Sequence, residues 1–251
     1  ETKMVTRSAN PALNKNTFSN VRDLRISGNL MTLQGTVNKT GILLVLAFLS
    51  ASWVWRQFFL SEMPQTSLYI TVGAIGGIIA AMVAIFRPTT APYAAPLYAL
   101  LQGLFLGGIS SLMEASFPGI VIQAVGLTFG TLFALLFAYK TGLIKATENF
   151  KLGVAAATGG IFLMYMVNLV LGFFGASVPF IHDNGFLGIG ISAFIVVIAA
   201  LNLVLDFDFI EHGAEQGAPK FMEWRAALGL MITLVWLYVE ILHLLSKLRS
   251  R

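Results

Sequence analysis

The chain has 251 residues, of which 57% are hydrophobic and only 11% charged, and its mean hydropathy is +0.79. Soluble domains carry about 25% charged residues, so a water-soluble globule is excluded and an integral membrane protein is expected. Cysteine is absent, which excludes disulfides, thiol catalysis and thiolate metal sites. The net charge of +4 sits in tails and short loops without a continuous basic face, so it reads as a topology signal and not as a nucleic-acid surface.

Residues 1–40 read as a polar tail without an apolar leader core, and residues 41–251 as one membrane domain. Within the tail, Val21, Leu24, Ile26, Leu30 and Leu33 alternate with Arg22, Asp23 and Arg25 in a weak amphipathic pattern. Seven apolar runs follow, near 41–60, 66–86, 94–113, 118–139, 152–175, 186–209 and 224–246. Each is close to the ~20 residues that cross a bilayer core. Pro64, Arg87-Pro88, Pro118, Gly142, Pro179 and the stretch from Gly213 to Pro219 punctuate them as turn residues do. The expected fold is all-α, a seven-transmembrane-helix bundle with a polar N-terminal tail. Glycines at close spacing, Gly73 with Gly76 and Gly77, Gly103 with Gly107, Gly126 with Gly130 and Gly159 with Gly160, read as points of tight helix packing.

With the N-terminus cytoplasmic, twelve of the sixteen Lys and Arg fall on inner segments, which favours that orientation in a cell inner (plasma) membrane. Arg56, Lys247, Arg249 and Arg251 fall outside, and the last three read as side chains snorkelling to outer head groups.

Acids in apolar sequence mark the candidate site. An ionisable residue within a span costs roughly 2.5–3.5 kcal/mol on insertion scales and is by default a functional hypothesis. Asp206 and Asp208 close the sixth run, separated by about 200° around the helix, so they face different ways. Asn202 lies one turn before Asp206 on the same face and is expected to share its hydrogen bonds. Arg87, ending the second run at the same depth, is the expected cationic partner. Glu240 is the acid deepest in apolar sequence, which makes it a proton sensor, a strut bonded to another helix, or a side chain snorkelling outward beside His243. Asn168, Tyr165, Gln102 and Gln123 read as interhelical hydrogen-bonding groups. His182-Asp183 is too short a signal for a metal site, and Glu211, His212 and Glu215 read as a solvated loop. No catalytic motif is present, so no enzyme, cofactor or resident metal is expected.

Four motifs, Ser8-Ala-Asn10-Pro11-Ala-Leu13, the run Ala91-Pro92-Tyr93 to Gln102-Gly103-Leu-Phe-Leu-Gly107, Leu205-Asp206-Phe-Asp208-Phe-Ile210-Glu211, and Trp236-Leu-Tyr238-Val-Glu240-Ile-Leu, resemble in their order the Bax inhibitor family, in its bacterial YccA-like branch. The resemblance implies a seven-span bundle without enzymatic activity. It also implies either a pH-sensitive calcium leak, with Ca²⁺ as the permeating ion, or regulation of an FtsH-type membrane protease or another membrane complex in a stress response. In calcium-leak members an Asp ending the sixth span pairs with an Asp in the seventh as a proton-sensitive latch. The sixth-span position falls on Asp206. An ungapped register from Ala226-Ala227-Leu228 puts Thr233 at the seventh-span position, whereas a gapped one puts Glu240 there; the ungapped register preserves span length.

Overall fold

A computed structural model describes residues 30–61, 64–175 and 185–250. Among these residues seven α-helices follow one another: α1 Leu33–Leu60, α2 Thr66–Phe86, α3 Ala91–Ser116, α4 Ile120–Lys140, α5 Glu148–Phe173, α6 Phe186–Glu215 and α7 Met222–Arg249. All seven are long and apolar enough to cross a bilayer. This is a multi-pass, all-helical membrane bundle. The helices alternate in direction, so the end where α1 begins is called basal here and the end where it finishes distal.

Helix α1 begins well inside the stretch read as tail. The Thr32 side chain accepts from Gly35 N at 2.9 Å, capping the helix before its first apolar residue. Ahead of the cap, Met31 N donates to Ala218 O at 2.7 Å and Leu30 bridges Pro219, so the entry to α1 is tied across the α6–α7 turn. Gly217 makes that turn with φ 68°, a conformation that a Cβ disfavours. The amphipathic reading of Val21, Leu24 and Ile26, the Ser8 to Leu13 motif and His182-Asp183 all lie outside the described residues.

Helix α7 is the axis of the bundle. It packs on α1, α3, α4 and α6, and its Leu228, Met231, Leu237 and Leu242 are almost wholly buried. Helix α5, by contrast, lies at the edge, and among the described helices its backbone comes close to α6 only. Because lipid is as apolar as leucine, helix association in a bilayer relies on close packing and hydrogen bonds. The α1–α2–α3 sector shows how this is met. A Cβ on Gly73 would stand 2.5 Å from Phe105 N, one on Gly103 2.5 Å from Ala47 O, and one on Gly107 2.6 Å from Ala51 O. Ser50 adds a bond from its hydroxyl to Leu100 O at 2.8 Å.

The other glycine pairs correct the sequence reading. Gly126, Gly130, Gly159 and Gly160 have nothing within 4 Å of an added Cβ among the described residues, so they are open positions on α4 and α5 and not packing points. Spacing alone cannot tell a small residue that admits a neighbour from one that faces outward.

Candidate functional site

Helices α6 and α7 run antiparallel in a register that faces Asp206 with Gly229 and Thr233, and Ser192 with Lys247. An added Cβ on Gly229 would lie 3.9 Å from Asp206 Oδ1, and the Thr233 hydroxyl faces the same carboxyl while donating weakly to Gly229 O at 3.3 Å. Asp206 Oδ2 is buried and has no hydrogen-bond partner among the described residues. Buried polar atoms are almost always bonded, so an orphan of this kind calls for an explanation. Nor does Asp206 lie at a helix end: α6 continues to Glu215, nine residues or roughly 14 Å farther.

Asp208 turns the other way, as the helical period requires, but its cation is not Arg87. Lys151 Nζ approaches Asp208 Oδ2 at 2.8 Å, and His212 Nδ1 lies 3.4 Å from Oδ1. Arg87 is exposed and makes no ion pair among the described residues. The reason is topological. Helix α2 packs against α3 and does not touch α6, whereas α5 starts beside the basal end of α6 and brings Lys151 with it.

Asn202 is also redirected. Its Nδ2 donates to Thr158 Oγ1 on α5 and to Ile198 O, each at 2.8 Å, so it ties α6 to α5 and does not share the bonds of Asp206. Glu211 and His212 belong to the helix, not to a loop, and Glu211 accepts from the Tyr139 hydroxyl. Asp208, Glu211, Tyr139, Lys140 and Lys145 surround a polar basal cavity of about 290 Å³.

Glu240, 5% exposed, accepts at one oxygen from the Tyr165 hydroxyl at 2.7 Å and from Trp236 Nε1 at 3.1 Å. It joins α7 to the otherwise peripheral α5. Two turns on, Lys247 is 4% exposed and does not snorkel: its Nζ donates to Ser192 Oγ at 2.9 Å and to Gly188 O at 3.3 Å. Of the polar residues expected between helices, Tyr165 and Gln123 do bridge, Gln123 by accepting from Arg249 at 3.0 Å. Gln102 instead donates within its own helix to the Tyr98 hydroxyl at 3.2 Å.

One cluster escaped the sequence reading. The Glu223 side chain is fully buried, ion-pairs with Lys39, lies 3.5 Å from Lys220 Nζ, and accepts from both Thr32 N and Thr32 Oγ1 at 2.9 Å. Lys39 also lies 5.4 Å from the Trp224 ring centre, within cation–π range. These donors hold the Glu223 carboxylate against the start of α1, where a Cβ on Gly35 would collide with it at 2.2 Å. Thr32 immediately before a helical pattern was the signal available; with Thr32 as cap, Lys39 falls on the second turn of α1.

With this geometry in place, the chain can be compared with known families. The family profile described as "Bax inhibitor 1 like" matches residues 7–250, nearly the whole chain. The protein belongs to the Bax inhibitor 1-like family. No curated protein and no solved structure matches it significantly. Within a Bax inhibitor 1-like frame the Asp206–Thr233 juxtaposition is informative. The α6–α7 contact sets the Thr233 hydroxyl against Asp206.

Proposed function

We propose that this Bax inhibitor 1-like protein is a proton-responsive cation leak in which Asp206 is the titrating gate residue and Ca²⁺ is the permeating substrate. The observation that carries the reading is the buried, unbonded Oδ2 of Asp206, well inside the bundle at the α6–α7 contact. A carboxylate is a hard oxygen ligand for Ca²⁺, and protonation removes both its charge and its affinity for the ion. The basal cavity edged by Asp208 and Glu211 supplies further oxygen ligands at one mouth, offset by Lys140 and Lys145. Glu240 is a strut in this reading, because two donors already occupy it. Thr233, beside the gate, supplies a hydroxyl that is insensitive to pH. The basal end faces the cytoplasm, supported by Lys39, Arg87, Lys140, Lys145, Lys151, Lys220 and Arg225 collecting there. The test is Ca²⁺ entry into indicator-loaded liposomes containing the purified protein, stepped between mildly acidic and mildly alkaline pH. PH-dependent entry above protein-free vesicles supports the reading, and no excess entry at any pH contradicts it.

A second reading, a non-transporting regulator that docks a membrane protease or another membrane complex, is favoured by α5. That helix is peripheral, its backbone close to α6 only among the described helices, and its Gly153, Gly159 and Gly160 stand open to close approach by another helix. Co-purification after mild crosslinking tests it with Gly159→Leu and Gly160→Leu. Unchanged recovery of partners counts against docking at α5.

A further inference from the structure

Between α1 and α4 the bundle is open at the side. These two helices do not touch each other, and α3 and α7 form the floor of the gap between them. The resulting groove has a volume of about 580 Å³, in the range of small-molecule sites, with Phe48 and Ser52 on one wall, Ile122 and Phe129 on the other, and Leu106 and Leu234 beneath. Phe48 and Ile122 are 71% and 72% exposed, so the groove opens toward lipid along its length.

We infer that this groove is a binding site for one phospholipid acyl chain, taken from the leaflet at the distal end of the bundle. Three observations specify that occupant. The first is length. On α1 the groove runs from Leu44 to Trp55, eleven residues or roughly 16 Å of helix, which matches half of a ~30 Å hydrocarbon core, the depth of a single leaflet. The second is chemistry. Four of the groove's polar side chains are already bonded within the protein: Ser110 and Tyr238 to each other at 2.7 Å, Thr128 to Ala124 O at 2.7 Å, and Glu114, which accepts from Gly119 N and Val121 N at 2.6 and 3.1 Å. Those bonds leave a surface that suits a hydrocarbon and asks little of a hydrogen-bonding ligand. The third is the distal mouth. Arg249 is held there by Phe117 O, Pro118 O and Gln123, next to the groove residues Val121 and Ile122. It places a positive charge at head-group level, where a phosphate would sit.

The groove differs from ordinary lipid-facing surface in having walls on two sides and a floor. A chain lying in it contacts four helices, and its exchange with bulk lipid should be slow. Asp206 does not line the groove, and the assignment does not depend on the leak reading.

The experiment uses the full-length protein in phosphatidylcholine vesicles doped with a phosphatidylcholine that carries a photoactivatable diazirine at mid-chain. Labelled peptides are mapped after illumination in the wild type and in two groove-filling variants, Ser52→Trp and Val125→Phe. Ile78→Phe on exposed α2 is the control. Labelling of α1 and α4 groove peptides about tenfold above equally exposed α2 and α5 peptides is expected, a preference of about 1.4 kcal/mol. That excess should fall in both filled variants, with the protein still monodisperse, and persist in the control. Labelling spread over all lipid-facing helices in proportion to exposure would overturn the assignment, leaving only annular lipid. Crosslinks between two copies through Phe48 and Ile122, with groove peptides unlabelled, would overturn it in favour of a protein occupant. Should one filled variant misfold, the other still decides the question.

Discussion

Asp206 and Thr233 face each other across the α6–α7 contact, in the same register that sets Ser192 against Lys247. Among the described residues, that contact sets a single carboxyl against a hydroxyl. A di-acid pair can share one proton between its members; a lone acid beside a hydroxyl titrates as one site. The following expectations separate the residues that hold the bundle from the one proposed to sense protons.

Glu223 should be the most sensitive charged position. Removing one partner of a buried pair costs about 3–5 kcal/mol because the other charge is stranded. Glu223→Ala should lower the unfolding midpoint in detergent sharply, and combining Lys39→Met with Glu223→Met should restore much of the loss. Lys151→Met, which breaks the more exposed Asp208 pair, should lower the midpoint far less. Equal effects at the two sites would contradict the assigned burial.

The glycines divide in two. Gly73→Ala forces a Cβ against the α3 backbone and should destabilise by about 1–3 kcal/mol, whereas Gly159→Ala, with open space around it, should be neutral or slightly stabilising. Thermal unfolding of both variants in one detergent checks this, and a reversed order would contradict the packing described.

Glu240 offers a test of its role as a strut. In Glu240→Gln the amide oxygen can still accept from Tyr165 and Trp236, so stability and pH response should both stay near wild type. Glu240→Ala strands two donors and should cost about 1–3 kcal/mol for each left unsatisfied. A changed pH response in Glu240→Gln would move proton sensing to this residue.

The fold was legible because bilayer thickness is read directly as run length: seven apolar runs became seven helices with ends shifted by a few residues. The largest shift was at α1, where Lys39 and Asn38 looked like tail yet lie on the helix, because Lys39 finds a buried carboxylate on α7. Run length carries no information on which helices are neighbours. Arg87 was chosen as partner for the sixth-span acids by depth alone, whereas the position of α5 against α6 gives Asp208 to Lys151. Asn202 went astray for the same reason, since α5 offers it Thr158. Thr233 came into view beside Asp206 only through the family resemblance, since nothing in composition or spacing pairs residues on two different helices.

The central claim is that Asp206 titrates and gates Ca²⁺ movement. The most direct measurement compares Ca²⁺ entry into proteoliposomes of wild type and Asp206→Asn across the same pH steps. The ratio of protonated to ionised forms at a single site changes about tenfold per pH unit. Wild-type entry should follow a one-site profile, and the Asn variant, isosteric but unable to ionise, should be flat across the range. An Asp206→Asn profile superimposable on that of the wild type would contradict the account.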